Sequence, residues 1–216
     1  MLVSVHIPKC AGTSFRHVLH SLYGDRAWDN YGAVFTRGEA RPGIVPAGTV
    51  CVHGHFLADA FDDVCPEREL ITWLRHPVER VVSNYFHFLR APDMRDDCCR
   101  ALHERKLSLL EFADLEWMRN ESSRYLAGKP IDDFGFVGIV EHFSESLRHF
   151  SGRFGRGRSL PEPMDNVNPW RKAPNYALSH GEYAHILVRN ALDVRLYQQA
   201  LDRLGMAPPL VATGTD

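Results

Sequence analysis

Apolar residues along the chain follow two rhythms. Some form short unbroken runs closed by loop residues, and others recur every three or four positions over longer stretches. Leu2 to Ile7 is the first run, with two valines and an isoleucine, and reads as a buried strand that Pro8 ends. Phe15, Val18, Leu19 and Leu22 then repeat at helical spacing, with Thr13 and Ser14 at the expected N-cap and Gly24 as the stop. Thr49–His53 predicts a second strand running into Gly54-His55-Phe56, and Glu69–Leu74 a third, leading through Arg75-His76 to Pro77. Proline suits the first turn of a helix, whose apolar face is Val78, Val81, Val82, Tyr85 and Leu89. Phe134–Val140 reads as a further strand, followed by a helix carrying Phe143, Leu147, Phe150 and Phe154 on one side.

Two capping boxes punctuate the rest: Ser108 with Glu111, and Ser179 with Glu182, the latter opening closing helices that run to about Leu204. Residues 24–48, rich in Gly, Pro and Arg, predict a long excursion with a short strand near Ala33–Thr36. The charged stretch from Ala91 to Arg105 predicts a mobile surface segment, and Arg153 to Pro169 a loop. Strands alternating with helices imply an α/β fold, a parallel sheet with helices on both faces, whose ligands sit beyond the carboxyl ends of the strands.

Lys9 to Ser14 is therefore a tight strand-to-helix loop. It offers backbone N–H groups, two hydroxyls and an ammonium at the positive end of a helix, the set a phosphate requires. It is not a Walker A loop, in which the lysine directly precedes the Ser/Thr after a glycine-rich arc. Here Lys9 comes first and Gly12 is the only glycine. An ordinary turn with a solvated lysine is the alternative for this loop taken alone.

The 216 residues suit one domain, spanning 1–216. A formal charge of −2 argues against a general nucleic-acid binder, so an anion site must be local. No apolar run has transmembrane length and the first strand starts at once, which predicts a cytoplasmic protein without a signal peptide. Five cysteines with no C-x-x-C predict neither a disulfide framework nor a zinc knuckle. Cys10 reads as a small residue fitting the loop, with a redox role as the alternative.

Three predicted strands end in anion chemistry: Lys9 to Ser14, His53 to His55, and Arg75. In a parallel sheet all three ends open on one edge. Arg75 can fork onto a phosphate and Ser83, two turns into the next helix, can add a hydrogen bond. The plain alternatives are a surface arginine paired with Glu79 and a solvated serine. Cys51, His53 and His55 alternate and would share a strand face. They can be structural, bind a metal, or include a general base; no carboxylate completes a metal set.

His6-Ile-Pro-Lys-Cys-Ala-Gly-Thr-Ser-Phe15, His53-Gly-His-Phe56 and Leu74-Arg-His-Pro-Val-Glu-Arg-Val-Val-Ser-Asn-Tyr85 resemble the carbohydrate sulfotransferases, in particular the group containing heparan sulfate 2-O-sulfotransferase. Weaker echoes in Asn120–Gly128, Phe136–Phe143 and Asn168–Tyr197 extend the resemblance over nearly the whole chain. It implies a P-loop-like, three-layer α/β fold and the donor 3′-phosphoadenosine 5′-phosphosulfate, released as adenosine 3′,5′-bisphosphate. By that likeness the loop Lys9, Cys10, Ala11, Gly12, Thr13 and Ser14 would hold the 5′-phosphosulfate, and Arg75 and Ser83 the 3′-phosphate. The histidines His53 and His55 would include the catalytic base. The chain departs in having Cys10 where the family often has threonine, and in showing no counterpart of the membrane anchor of the animal Golgi enzymes, which suggests a cytosolic relative, such as a bacterial one.

The implied reaction is metal-independent in-line displacement onto an acceptor hydroxyl, on a glycan or another small molecule, with His55 as base, Lys9 at the bridging oxygen and His53 as second choice or orienting group. Asn168–Lys172 can form a lid, bringing Arg171 or Lys172 to the 3′-phosphate; a plain polar loop is the alternative. Arg124 is open between site and surface. A nucleotide kinase or NTPase would need a Walker lysine and a magnesium carboxylate, neither of which is visible. A non-catalytic nucleotide-binding protein on the same fold is the rival from another class.

Overall fold

The structure, a computed structural model, describes residues 1–31, 45–155, 157, 158, 160 and 177–209. The strand expected near Ala33–Thr36 and the lid at Asn168–Lys172 lie outside these residues. In chain order the main elements are β1 (Leu2–Val5), α1 (Gly12–Tyr23), β2 (Ala27–Asn30), β3 (Cys51–Gly54), β4 (Glu69–Leu74), α2 (Pro77–Arg90), α3 (Asp97–Arg105), α4 (Leu109–Ala113), α5 (Glu121–Tyr125), β5 (Phe134–Ile139), α6 (Phe143–Phe154), α7 (His180–Arg189) and α8 (Ala191–Leu204). They fall into two compact units, residues 1–74 with 124–166 and residues 75–123 with 167–216. Among the described residues no helix is long and apolar enough to cross a membrane.

The first unit holds the whole sheet, five parallel strands in the order β2-β3-β1-β4-β5. This is the expected α/β architecture, a central parallel sheet flanked by helices. β1 and β4 are almost fully buried, which is why they read as continuous apolar runs. α1 and α6 meet over the sheet through an aromatic cluster. The Phe15 ring lies 4.9 Å from Phe150 and 5.3 Å from Trp73, and Phe136 lies 5.1 Å from Phe150. Gly138 is required beneath it, since a Cβ there would fall 2.4 Å from the Trp73 indole.

One strand was not anticipated. β2 reads Ala-Trp-Asp-Asn, too polar to stand out, yet it pairs with β3 along its length. Its Asp29 explains why: the carboxylate accepts from Arg16 Nε at 2.7 Å and is bonded to His20 Nε2 at 2.9 Å, tying the edge strand to α1.

The second unit is helical. α2 opens with Pro77 at its first position, and Val78, Val81 and Val82 are fully buried against Leu102, Phe112, Met118 and Ile186. Both predicted capping boxes are present, Ser108 with Glu111 and Ser179 with Glu182. The stretch expected to be a mobile segment instead contains α3. Asp96 caps it by accepting from Cys98 and Cys99 N–H at 2.8 and 3.1 Å, and Cys98, Cys99 and Leu102 turn inward. The surrounding charges hid that apolar stripe.

Arg80 organises this unit from within. Fully buried, it is paired with Glu121 and donates from Nη2 to the Met118 carbonyl at 2.8 Å, with Asp193 4.0 Å from its Nε. Asp193 in turn accepts from the Ser122 and Ser123 N–H groups at 3.0 and 2.7 Å. Removing one partner of such a pair strands a buried charge. Arg80→Ala is therefore expected to lower stability by about 3–5 kcal/mol, read as the urea midpoint by circular dichroism.

Candidate active site

β1, β3 and β4 run parallel, so their carboxyl ends share one edge of the sheet. The loop after β1 is bent by two residues in the left-handed region, Lys9 at φ 67° and Ala11 at φ 56°. Neither is a glycine, so the conformation is held against its local preference. Cys10 is buried inside the bend, its N–H donating to the Ile7 carbonyl at 3.2 Å.

The helix begins earlier than the hydroxyls suggested. Ala11, not Thr13 or Ser14, is the N-cap of α1, and its carbonyl accepts from Phe15 N–H at 3.0 Å. Alanine has no oxygen to offer, so no side chain caps this N-terminus. Thr13 and Ser14 consequently lie in the first turn, Thr13 half-buried and Ser14 buried.

His53 ties the elements of the first unit together. It pairs in register with Ser4 on one side and Asp29 on the other. Its Nε2 lies 3.1 Å from the Gly12 carbonyl, which can only accept, so Nε2 carries the proton. Nδ1 therefore accepts from the Ser4 hydroxyl at 2.9 Å. Both ring nitrogens are thus engaged, and burial pushes the ring down to about 3, against a smaller opposing effect of Asp29. A neutral, doubly bonded imidazole is suited to holding rather than to proton transfer.

His55, just beyond β3 and only half-buried, is arranged differently. Its Nδ1 donates to the His6 carbonyl at 2.7 Å. In a neutral ring that leaves the basic lone pair on Nε2. Its ring stacks on His6 at 4.2 Å and 24°, with Tyr31 edge-on at 5.0 Å and Tyr125 at 6.4 Å.

His6 was not singled out by sequence, though it sits in the same phrase as Lys9. The pairing of Ser4 with His53 and Val5 with Gly54 sets it opposite His55, and only that register could have found it. Its ring also stacks on His53 at 5.1 Å and 11°. Burial, then His55, His53 and Lys9, depress its basicity well below the ordinary histidine range. The Lys9 charge is thus felt at His6. Gly12 has its place because of this ring: a Cβ on it would come within 1.8 Å of the His6 Nε2.

Arg75 and Ser83 belong to the second unit. Arg75 is nearly buried and donates from Nη2 to Glu79 at 3.3 Å, the one-turn pairing that was the plain alternative; Ser83 is half-buried on α2. Lys172 and Arg171 lie outside the described residues.

The fold has a solved counterpart. A sulfotransferase from Alicyclobacillus acidocaldarius superposes with a TM-score of 0.51 at 17% identity, over 96% of each chain. At that identity the likeness is one of fold. No family model matches the chain, and no curated protein matches it.

The histidines set an acid limit on stability. His53 titrates near 3 when folded and near 6.5 when unfolded, so between those values only the unfolded chain binds the proton. Stability therefore falls as pH drops from about 6.5 towards 3. One such proton contributes a slope of up to about 1.4 kcal/mol per pH unit. His6 and, in the second unit, His76 (held down to about 4 by burial and by Arg75) act in the same sense. His53→Gln is expected to flatten the dependence by roughly one proton. Urea titrations across the acid range check this, and an unchanged slope would show that His53 is not the group concerned.

Proposed function

We propose that the protein transfers a sulfuryl group from 3′-phosphoadenosine 5′-phosphosulfate to an acceptor hydroxyl, on a glycan or another small molecule. The observation that carries this reading is the meeting of the Lys9 loop and the His6–His55 stack at one sheet edge, where Gly12 lies against the His6 ring. The strained loop that bears the ammonium opens a helix with no side-chain cap, and the Lys9 charge bears on His6, whose ring packs on His55. An anion stabiliser and a base in one neighbourhood suit group transfer between a charged donor and an alcohol. The fold shared with a sulfotransferase supports it, as do the phrases around Lys9, His53 and Arg75.

In this reading the acceptor oxygen attacks sulfur in line with the bond to the leaving phosphate. The new O–S bond forms as the S–O bond to phosphate breaks, and that electron pair stays on the phosphate oxygen. Lys9 and the first N–H groups of α1 stabilise the charge gathering there. His55 Nε2 takes the acceptor proton, while Nδ1, committed to the His6 carbonyl, fixes the tautomer. His53 holds β1, β3 and the start of α1 in place through Ser4 and Gly12. Thr13 and Ser14 offer their hydroxyls to the phosphosulfate. Arg75 and Ser83 are assigned to the 3′-phosphate by the resemblance and by their anion-binding chemistry, and Lys172 by the lid reading of Asn168–Lys172. With one negative charge on the transferred group, less than on a terminal phosphoryl group, the reading requires no magnesium.

Calorimetry with adenosine 3′,5′-bisphosphate, set against ATP with magnesium, tests the donor. Binding of the first and not the second is expected, and the reverse result rejects the assignment in favour of a nucleotide kinase or NTPase. Radiolabelled sulfate transfer to a panel of glycans and small alcohols then reads activity. His55→Ala should lower kcat by ~10²–10⁴-fold, and Lys9→Ala by on the order of 10²–10³-fold. Arg75→Ala should mainly weaken bisphosphate binding. Wild-type turnover in His55→Ala would remove that residue from the chemistry.

A further inference from the structure

His6 is held on every side, although the transfer reaction needs nothing of its ring. Its N–H donates to the Gly54 carbonyl at 2.8 Å, carrying the β1–β3 ladder one residue past the strands. Its carbonyl takes the His55 Nδ1 proton. The ring lies over Gly12, where a β-carbon would collide with it, and its Nδ1 is 2.8 Å from the Tyr31 hydroxyl. The His55 ring stacks on it 4.2 Å away, and the His53 ring 5.1 Å away.

We propose that His6 is a positioning residue for the base: clamped between the Tyr31 hydroxyl and the backbone of Gly12, its ring fixes the plane in which His55 presents Nε2 to the acceptor. This rests on the reading above, in which His55 takes the acceptor proton. The hydrogen bond at Nδ1 sets the tautomer of His55, and a ring packed on its face sets the tilt of its plane. Near-attack geometry is sensitive to displacements of about an ångström.

The clamp works only with an uncharged ring. Lys9, His53 and His55 face it from the loop, from β3 and from just beyond β3, and Tyr31 from the end of β2. Asp29 and Arg16 act on Tyr31 and His53 from behind. Burial, with His55, His53 and Lys9 beside it, keeps His6 neutral, while burial and Asp29 raise Tyr31 so that it retains its proton. The phenol can then donate to His6 Nδ1. When His55 gains the acceptor proton, its new charge meets the face of a neutral ring instead of a second cation.

The test compares the wild type with His6→Ala, His6→Phe and Tyr31→Phe. The readouts are kcat and KM for sulfuryl transfer, bisphosphate affinity by calorimetry, and the tautomer and titration of His55 by nitrogen-15 NMR. His6→Ala should lower kcat by on the order of 10²-fold, with KM for donor and the bisphosphate affinity unchanged. His6→Phe, which keeps a stacked ring, should recover most of that loss. Tyr31→Phe should fall between them, and the acidic limb of the pH–rate profile, set by protonation of His55, should shift in His6→Ala. Wild-type kcat in His6→Ala, or His6→Phe no better than His6→Ala, overturns the proposal. Should Tyr31→Phe be the only variant that folds, an unaltered kcat and His55 titration in it overturn the clamp. Should the wild type transfer no sulfate, the activity is refuted, and NMR still decides the clamp: a His55 ring unaltered in His6→Ala refutes it, and a shifted tautomer equilibrium supports it.

Discussion

The buried imidazole of His53 is the contact on which the first unit depends. It is one side chain serving three backbone elements: it sits on β3, takes a proton from Ser4 on β1 and gives one to the carbonyl of the first residue of α1. An apolar residue could fill the volume but could not fix where α1 starts relative to the two strands. Because α1 starts there, the loop before it must close within a few residues, and two non-glycine residues accept left-handed backbone to do so. The placement of Lys9 follows from that geometry.

Much of this was legible in the chain because it is local. The apolar runs gave β1, β3, β4 and β5 nearly at their observed limits, and serine with glutamate three residues on marked two helix starts. The phrase around Lys9 and the His-Gly-His alternation pointed to the sheet edge where the structure places them. The pairing of Arg75 with Glu79 was visible as a one-turn spacing.

What escaped notice depends on partners far away in sequence. β2 has a polar composition that makes sense only once Asp29 meets Arg16 and His20 on α1. α3 hid its buried cysteines among aspartates and arginines. The hydroxyls of Thr13 and Ser14 resembled a cap because spacing cannot reveal that Ala11 adopts a left-handed conformation. His6 required the strand register, and so did the different fates of His53 and His55. Two residues apart and chemically identical, one is buried and bonded at both nitrogens, while the other is half-buried and donates from Nδ1 to the His6 carbonyl.

The parallel register acts as a ruler. Ser4 faces His53, Val5 faces Gly54, and the count carries His6 to His55. Parallel strands tolerate no half-measures: an insertion or deletion of a single residue in β3 reverses which side chains face α1. Glycine would then stand where an imidazole does, and Val52 would meet the Ser4 hydroxyl. Length between Cys51 and His55 is therefore under tighter constraint than the identity of the apolar residues there. Variation in this protein should accumulate as substitutions within that stretch and stop short of changing its span.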